Sequence, residues 1–174
     1  MSSAPRPSRF RSRPFVRPVC WLLLALLSGM GSGPAAAETG LPLPRFVSLR
    51  PAEVNLRTGP GNTYPVDWVY QRRHMPVEVV AEFDNWRKIR DWQGSVGWVH
   101  QSLLDGRRYG LITSEQLLMS RPAPDGVPVA RLMPGVIARL QSCQPGWCRL
   151  EADGHDGWLP HDAFWGAYPN ETFD

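Results

Sequence analysis

The sequence lacks an apolar run long enough to cross a membrane as a helix. Its longest run, Val19–Leu27, has 9 residues, whereas a transmembrane helix needs about 20. The sequence also lacks the HExxH zinc pattern, the G-x-S-x-G turn of serine hydrolases and a glycine-rich phosphate loop. These absences argue against a membrane-spanning protein and against three common enzyme classes, and we expect no catalytic residues and no cofactor.

Acidic residues are absent from the first 37 positions, which hold five of the 19 basic side chains. From position 38 onward there are 14 basic and 16 acidic residues, so the net charge there is −2, although the whole chain carries +3. Binding to nucleic acid draws on an excess of basic residues that displace counterions from phosphates. We therefore expect no nucleic-acid partner.

The N-terminal 37 residues have the three zones of a secretory signal peptide. A basic stretch precedes the apolar run Val19–Leu27, and a small-residue zone ends in Ala35, Ala36 and Ala37. We predict a signal peptide over 1–37, cleaved between Ala37 and Glu38, and a linker over 38–44. An uncleaved anchor is the alternative. Cleavage predicts a periplasmic or secreted protein with no stable membrane span.

Cysteine is scarce, with 3 in 174 residues, and Cys20 would leave with the signal peptide. Cys143 and Cys148 flank Pro145-Gly146, and a two-residue turn there would make them a closely spaced cross-strand pair. In an oxidising compartment this pattern predicts a disulfide. Zinc bound with His155 and His161 is the alternative, but we expect no metal.

The mature chain shows short strand-like runs broken by turn signals and no sustained helical period, which is typical of an all-β fold. The runs cover 77–83, 86–91, 97–100, 135–142 and 148–152.

An internal repeat divides these runs into two sets. Residues 45–60 align without a gap on 109–124, which places Arg57 on Arg121, and Trp86 and Trp98 match Trp147 and Trp158. We predict tandem small β-barrels over 45–106 and 107–170, followed by a tail over 171–174. Domains this small bury little surface, so we expect the two repeats to pack on each other.

The first repeat resembles the bacterial SH3-like (SH3b) domain, whose modules carry N-[VL]-R-x-G-P, a central Trp and a late G-W-V. The matching residues are Asn55, Leu56, Arg57, Gly59, Pro60, Trp86, Gly97, Trp98 and Val99. The second repeat diverges: on the gapless alignment Met119 and Ser120 replace Asn55 and Leu56. The resemblance implies a five- to six-stranded SH3-like β-barrel that binds ligands, often peptidoglycan, and performs no catalysis.

Aromatic residues in the first repeat mark a candidate groove. Tyr64, Trp68, Trp86 and Trp92 would line it, with Asp67 and Arg87 at its edge. Aromatic faces with a few charges suit a peptide that has apolar and ionic groups. Packing against the neighbouring repeat is the alternative role for the tryptophans.

The predicted function is non-catalytic binding in the cell envelope, mainly through the first repeat. The expected partner is peptidoglycan or its peptide stems. The alternative is a periplasmic protein–protein interaction or scaffolding module that binds a partner protein or peptide.

Overall fold

The computed structural model describes residues 39–174, so the predicted signal peptide and its cleavage site between Ala37 and Glu38 lie outside the described residues. Within 39–174 no helix is long and apolar enough to span a bilayer, and the helices there are single 3-10 turns at Gln101–Leu103 and His161–Ala163. The strands of the first repeat are β1 (Arg45–Leu49), β2 (Val54–Arg57), β3 (Val66–Tyr70), β4 (Pro76–Phe83), β5 (Trp86–Arg90), β6 (Val96–His100) and β7 (Leu104–Asp105). Those of the second are β8 (Tyr109–Ile112), β9 (Gln116–Met119), β10 (Pro128–Leu132), β11 (Ile137–Gln144), β12 (Trp147–Ala152), β13 (His155–Pro160) and β14 (Phe164–Trp165).

Each set of strands forms one antiparallel sheet, and the two sheets share one topology. The first sheet has the order β3-β2-β6-β5-β4-β1-β7, and the second has β10-β9-β13-β12-β11-β8-β14. The predicted all-β tandem repeat is therefore confirmed. The seventh strand of each sheet has only two residues, so the main body has six strands, within the five to six that the resemblance implied.

Alternating apolar residues build a separate core in each repeat. In β2, Val54 and Leu56 are buried whereas Asn55 is exposed, which is the two-residue period of a half-buried strand. The first core consists of Leu49, Val54, Leu56, Tyr70, Met75, Val77, Val79, Ile89, Val99 and Leu104. The second contains Ile112, Leu118, Leu132, Ala138, Leu140, Cys143, Cys148, Leu150, Ala152, Leu159, Ala163 and Phe164.

Strand register corrects the gapless alignment of the two repeats. Arg57 lies opposite Trp98, and the residue opposite Trp158 is Met119, not Arg121. The match of Arg57 to Arg121 is therefore wrong. The counterpart of Arg57 on β9 is Met119, two residues earlier in the chain than the gapless alignment placed it. Leu118, not Ser120, is the counterpart of Leu56, and the core position is retained.

Both hairpin tips have the predicted register. Phe83 pairs with Trp86 and Glu82 with Arg87. In the second repeat Gln144 pairs with Trp147 and Cys143 with Cys148. The two cysteines are joined by a disulfide, as the sequence predicts, with their Cα atoms 4.1 Å apart. The backbone of Phe173 forms two hydrogen bonds with that of Cys143, which fixes the C-terminal tail beside the bridge.

The repeats pack on each other, as expected, through an aromatic cluster. The ring of Phe46 on β1 lies edge-on to Trp165 at 5.1 Å and tilted to Tyr168 at 4.7 Å. The Tyr168 hydroxyl donates a 2.8 Å hydrogen bond to Glu78, whose side chain is also paired with Arg90. A buried carboxylate on the first repeat is thus held by a side chain that follows the last strand of the second.

A second set of contacts joins the segment between β3 and β4 to the second repeat. The His74 ring stacks on Tyr109 with centroids 4.4 Å apart, and Arg72 donates a hydrogen bond from Nη1 to the carbonyl oxygen of Gly135. Ile137 packs against the first core. These contacts set the cleft between the repeats that is described below.

Candidate functional site

The loop after β2 is a stiff turn built under one aromatic ring. A Cβ on Gly59 would lie 2.3 Å from the Tyr64 ring, and one on Gly61 would lie 3.3 Å from it. Only glycine lets the ring lie this close to the main chain at position 59. Arg57 fixes the other end of the loop by donating a 2.8 Å hydrogen bond to the Tyr64 carbonyl. Arg57 and Gly59 therefore hold the loop in place.

Gly97 also has a packing role. A Cβ at this position would lie 2.5 Å from Cγ of Leu56 and 2.9 Å from the carbonyl oxygen of Arg57. Gly157 meets Leu118 and Met119 in the same way in the second repeat. The glycine of the G-W-V motif thus lets β6 pass close over β2.

The strand after this loop carries the most exposed large aromatic residue of the first repeat. Trp68 on β3 has 58% of its surface exposed, and Val66 and Val69 are exposed beside it. β3 is the edge strand of its sheet, so within residues 39–174 no strand pairs with its outer side. Asp67 is exposed on the same strand. This edge offers an aromatic face, a carboxylate and free backbone groups at one place.

Two of the six predicted site residues are buried instead of lining an open groove. Trp86 is 9% exposed and lies edge-on to His100, with ring centroids 5.5 Å apart. Arg87 is 4% exposed. Its guanidinium donates to the carbonyl oxygens of Asp84 and Trp86 and to the side chain of Gln101. The structure therefore places both in the packing of the β4–β5 hairpin.

The predicted aromatic residues are not stacked on one another. Among residues 39–174, no aromatic pair joins two of Tyr64, Trp68, Trp86 and Trp92. Tyr64 and Trp68 belong to the loop and edge strand, whereas Trp92, which is 42% exposed, lines a cleft between the repeats. The structure thus offers two surfaces, the edge strand and the cleft.

The cleft has a volume of about 380 Å³ and is mostly apolar. The first repeat contributes Arg72, Met75 and Trp92, and the second contributes Leu111, Ile112 and Pro134 among others. Sequence reasoning found only Trp92, since a cleft between repeats depends on how they pack, which strand patterns do not encode.

Asp91 anchors the turn that carries Trp92. Asp91 is 3% exposed, and its carboxylate accepts hydrogen bonds from the Tyr70 hydroxyl and from the backbone amides of Gln93 and Ser95. Burial and the neighbouring Asp91 carboxylate raise the pKa of Tyr70 well above its usual range, so its hydroxyl remains a donor. The backbone beneath Trp92 is therefore fixed.

Glu82 fixes the start of the described chain to the β4–β5 hairpin. Its carboxylate accepts hydrogen bonds from Thr39 and Arg45. Burial alone would raise its pKa, but the hydrogen bonds from Thr39 and Arg45 and the Arg45 charge outweigh burial and lower the pKa of Glu82 to about 2. Glu82 is consequently a structural anion.

The cysteine–histidine spacing considered for zinc brings three side chains together. Ligand atoms of Cys143, Cys148 and His161 lie within 4.8 Å of one another, and His155 is exposed elsewhere. The two sulfur atoms are bonded to each other, so neither is a thiolate ligand. His161 accepts a hydrogen bond at Nδ1 from the backbone of Asn170. The cluster is therefore a disulfide with a neighbouring imidazole.

Comparison with known proteins identifies one family. The family model described as bacterial SH3 domain matches residues 50–106 and 113–166. The starts of the two matches differ by 63 residues and their ends by 60. The second repeat is therefore shorter than the first, in agreement with the strand register. No curated protein sequence matches the chain.

Solved structures with some similarity are identical to the chain at few positions. NlpC1 from Trichomonas vaginalis is 13% identical, with a TM-score of 0.34, and the alignment covers 75% of this chain and 48% of that one. NlpC2 from Trichomonas vaginalis is 14% identical, with a TM-score of 0.33, and the alignment covers 72% of this chain and 48% of that one. An NlpC/P60 family protein from Bacillus cereus is 12% identical, with a TM-score of 0.32, and the alignment covers 71% of this chain and 57% of that one. The chain thus spans about half the length of these proteins.

Proposed function

We propose that this chain, which belongs to the bacterial SH3 domain family, is a non-catalytic module of the bacterial cell envelope. Its proposed ligand is peptidoglycan or its peptide stems. Bacterial SH3 domains are typically non-catalytic, and they are often found in exported proteins. The residues that we propose to contact the ligand are Tyr64, Asp67 and Trp68 of the first repeat.

The observation that carries this proposal is the exposure of Trp68 on an unpaired edge strand next to a stiff loop. The Tyr64 ring is held against Gly59 beside this strand and therefore loses little entropy when a ligand stacks on it. The free backbone groups of β3 can pair with an extended peptide, as in other complexes where a peptide adds a strand to a sheet. Asp67 offers a carboxylate to a ligand ammonium group.

The second repeat supports a division of roles. Ala130 faces Leu118 on the neighbouring strand at the position where Trp68 faces Leu56 in the first repeat. The second edge strand therefore lacks the aromatic platform, although its sheet has the same order. We accordingly assign ligand binding mainly to the first repeat.

Export is part of the same proposal. The basic, apolar and small-residue zones of residues 1–37 support cleavage between Ala37 and Glu38. The disulfide between Cys143 and Cys148 agrees with an oxidising compartment such as the periplasm.

The test is co-sedimentation of the mature chain with purified sacculi. We expect wild type to be depleted from the supernatant and Trp68→Ala to be retained in it, with its melting temperature nearly unchanged because the side chain is exposed. Val129→Ala, at an exposed position on the second edge strand, is the matched control and should sediment like wild type. Full recovery of wild type in the supernatant would refute peptidoglycan binding.

The unpaired β3 edge equally favours the second candidate, a scaffolding role in which a segment of an envelope protein adds a strand. Cross-linking from a photoreactive residue at position 66 distinguishes the two. It would yield a discrete protein adduct in cells in the scaffolding case, and adducts with wall fragments in the other.

A further inference from the structure

The cleft between the repeats is distinct from the β3 edge and has the properties of a small-ligand pocket. Its apolar walls come from both repeats, and two of the lining residues, Leu111 and Ile112, are almost completely buried. Junctions between domains are a common location of such pockets. A volume of about 380 Å³ is at the lower end of the usual range, so the cleft holds a small apolar group.

The charge at the cleft has one sign. Arg72 lines the cleft, and none of the lining residues in the described chain is acidic. The ion pairs found within residues 39–174 do not include Arg72. Its one hydrogen bond there, from Nη1 to the Gly135 carbonyl, leaves the Nε and Nη2 donors for a ligand.

The Arg72 guanidinium is held in position at the cleft. A Cβ on Gly135 would lie 3.3 Å from Nη1 and 3.6 Å from Nη2, so the guanidinium lies directly against the main chain of the second repeat. A positioned guanidinium is well suited to a carboxylate, because it can donate two parallel hydrogen bonds. Trp92, partly exposed on the same cleft, adds an aromatic surface for an apolar group.

We infer that this cleft binds the C-terminal residue of a peptide that ends in an apolar side chain. The apolar group would lie among Met75, Trp92 and Leu111, and the α-carboxylate would bind Arg72. The small volume favours a single side chain over a long acyl chain, which would need a larger cavity. The inference concerns residues other than those of the proposed envelope role, and it stands whether or not sacculi are bound.

The first experiment compares the binding of two fluorescent probes that have related ring systems. 1-Anilinonaphthalene-8-sulfonate carries an anionic group, whereas N-phenyl-1-naphthylamine is uncharged. We expect Arg72→Gln to weaken binding of the sulfonate roughly threefold to fivefold, as for one partly exposed ion pair, and to leave the uncharged probe unchanged. Arg72→Lys should retain most of the sulfonate affinity. Arg149→Gln removes an exposed charge from β12 outside the cleft and should change neither probe.

Thr113→Trp places a large side chain in the cleft and should weaken both probes, while circular dichroism reports whether the variant remains folded. Wild type that binds neither probe, or a sulfonate affinity that neither Arg72→Gln nor Thr113→Trp alters, would overturn the inference. An equal loss of both probes in Arg72→Gln would also overturn it, because the arginine would then only shape the cleft.

The second experiment identifies the ligand class by competition against the bound sulfonate. We expect N-acetyl-Gly-Gly-Phe with a free carboxylate to displace the probe, and its C-terminal amide to do so at least about threefold less well. Equal displacement by acid and amide would contradict a role for the carboxylate. Displacement by octanoate but not by the peptide would assign the cleft to fatty acids and overturn the peptide assignment.

Discussion

Replacing Gly97 by alanine tests whether the motif glycine is required for packing. The added Cβ would lie 2.5 Å from Cγ of Leu56, 2.8 Å from Cδ1 and 2.9 Å from the Arg57 carbonyl oxygen. Leu56 is completely buried, and a backbone oxygen cannot move without disturbing β2. Overpacking of this kind costs about 1–3 kcal/mol, and we expect the upper part of that range because one of the contacts is to backbone.

The assay is urea denaturation followed by tryptophan fluorescence. Gly106→Ala is the matched control, because a Cβ there would meet nothing within 4 Å and its φ lies outside the left-handed region. We expect this control to leave the free energy of unfolding unchanged or to raise it by about 0.4–1 kcal/mol, since alanine restricts the unfolded chain. Gly97→Ala as stable as Gly106→Ala would refute the packing argument.

A double-mutant cycle locates the clash. Leu56→Ala alone should cost about 2–5 kcal/mol, as for other buried leucines. Combined with Gly97→Ala it should cost less than the sum of the two changes, because the alanine at 56 removes the Cγ and Cδ1 that the new Cβ would meet. Strict additivity would mean that the strain arises elsewhere, at the Arg57 carbonyl.

Two further predictions concern the ion pair at Glu82 and the disulfide. Because the folded pKa of Glu82, about 2, lies below the ordinary value of 4.5, the unfolded chain binds more protons between these values and stability falls as the pH falls through this window. The difference in free energy of unfolding between wild type and Glu82→Gln should therefore shrink by about 2 kcal/mol from pH 5 to pH 2.5, and a constant difference would contradict the shift. Replacing both Cys143 and Cys148 by alanine should cost about 2 kcal/mol, because the closed loop is short, whereas a loss above about 4 kcal/mol would show that the bridge also holds the tail at Phe173.

Local rules were sufficient for the hairpins. A two-residue turn at Asp84-Asn85 or Pro145-Gly146 fixes which residues face each other. The two tips differ in conformation, because the positive φ lies at the first turn residue, Asp84 (47°), in one and at the second, Gly146 (83°), in the other. The cross-strand pairs and the disulfide were therefore predictable from sequence.

The burial of Trp86 was not predictable in the same way. Alternation places Trp86 on the face opposite Ile89, and we expected the ring to line a groove or to pack against the other repeat. The ring is instead edge-on to His100, which follows from the pairing of β5 with β6 within the same repeat. Trp86 is thus covered although Arg90, on the same face of the strand, is exposed, a result of non-local packing that the period of the sequence does not reveal.

The gapless alignment failed for a related reason. It aligned Arg57 with Arg121 because the residues are identical. The equivalent positions of the two sheets are instead identified by the close approach of Gly97 to Leu56 and of Gly157 to Leu118. A shared steric requirement is a better guide to equivalent positions here than an identical residue, because Arg57 bonds to its own loop at Tyr64 whereas Arg121 bonds to Asp125.

The two repeats share the residues that the packing of the sheet requires and differ at positions of the edge strand and of the strand beside it. The second repeat keeps the leucine beneath the glycine and the tryptophan that follows it, so the requirements of the sheet are still met. It has Ala130 where the first repeat has Trp68, and Met119 where the first has Arg57. The second repeat thus meets the steric requirements of the sheet and differs at the edge position where we propose that the first repeat contacts its ligand. It also supplies Leu111 to the wall of the inter-repeat cleft.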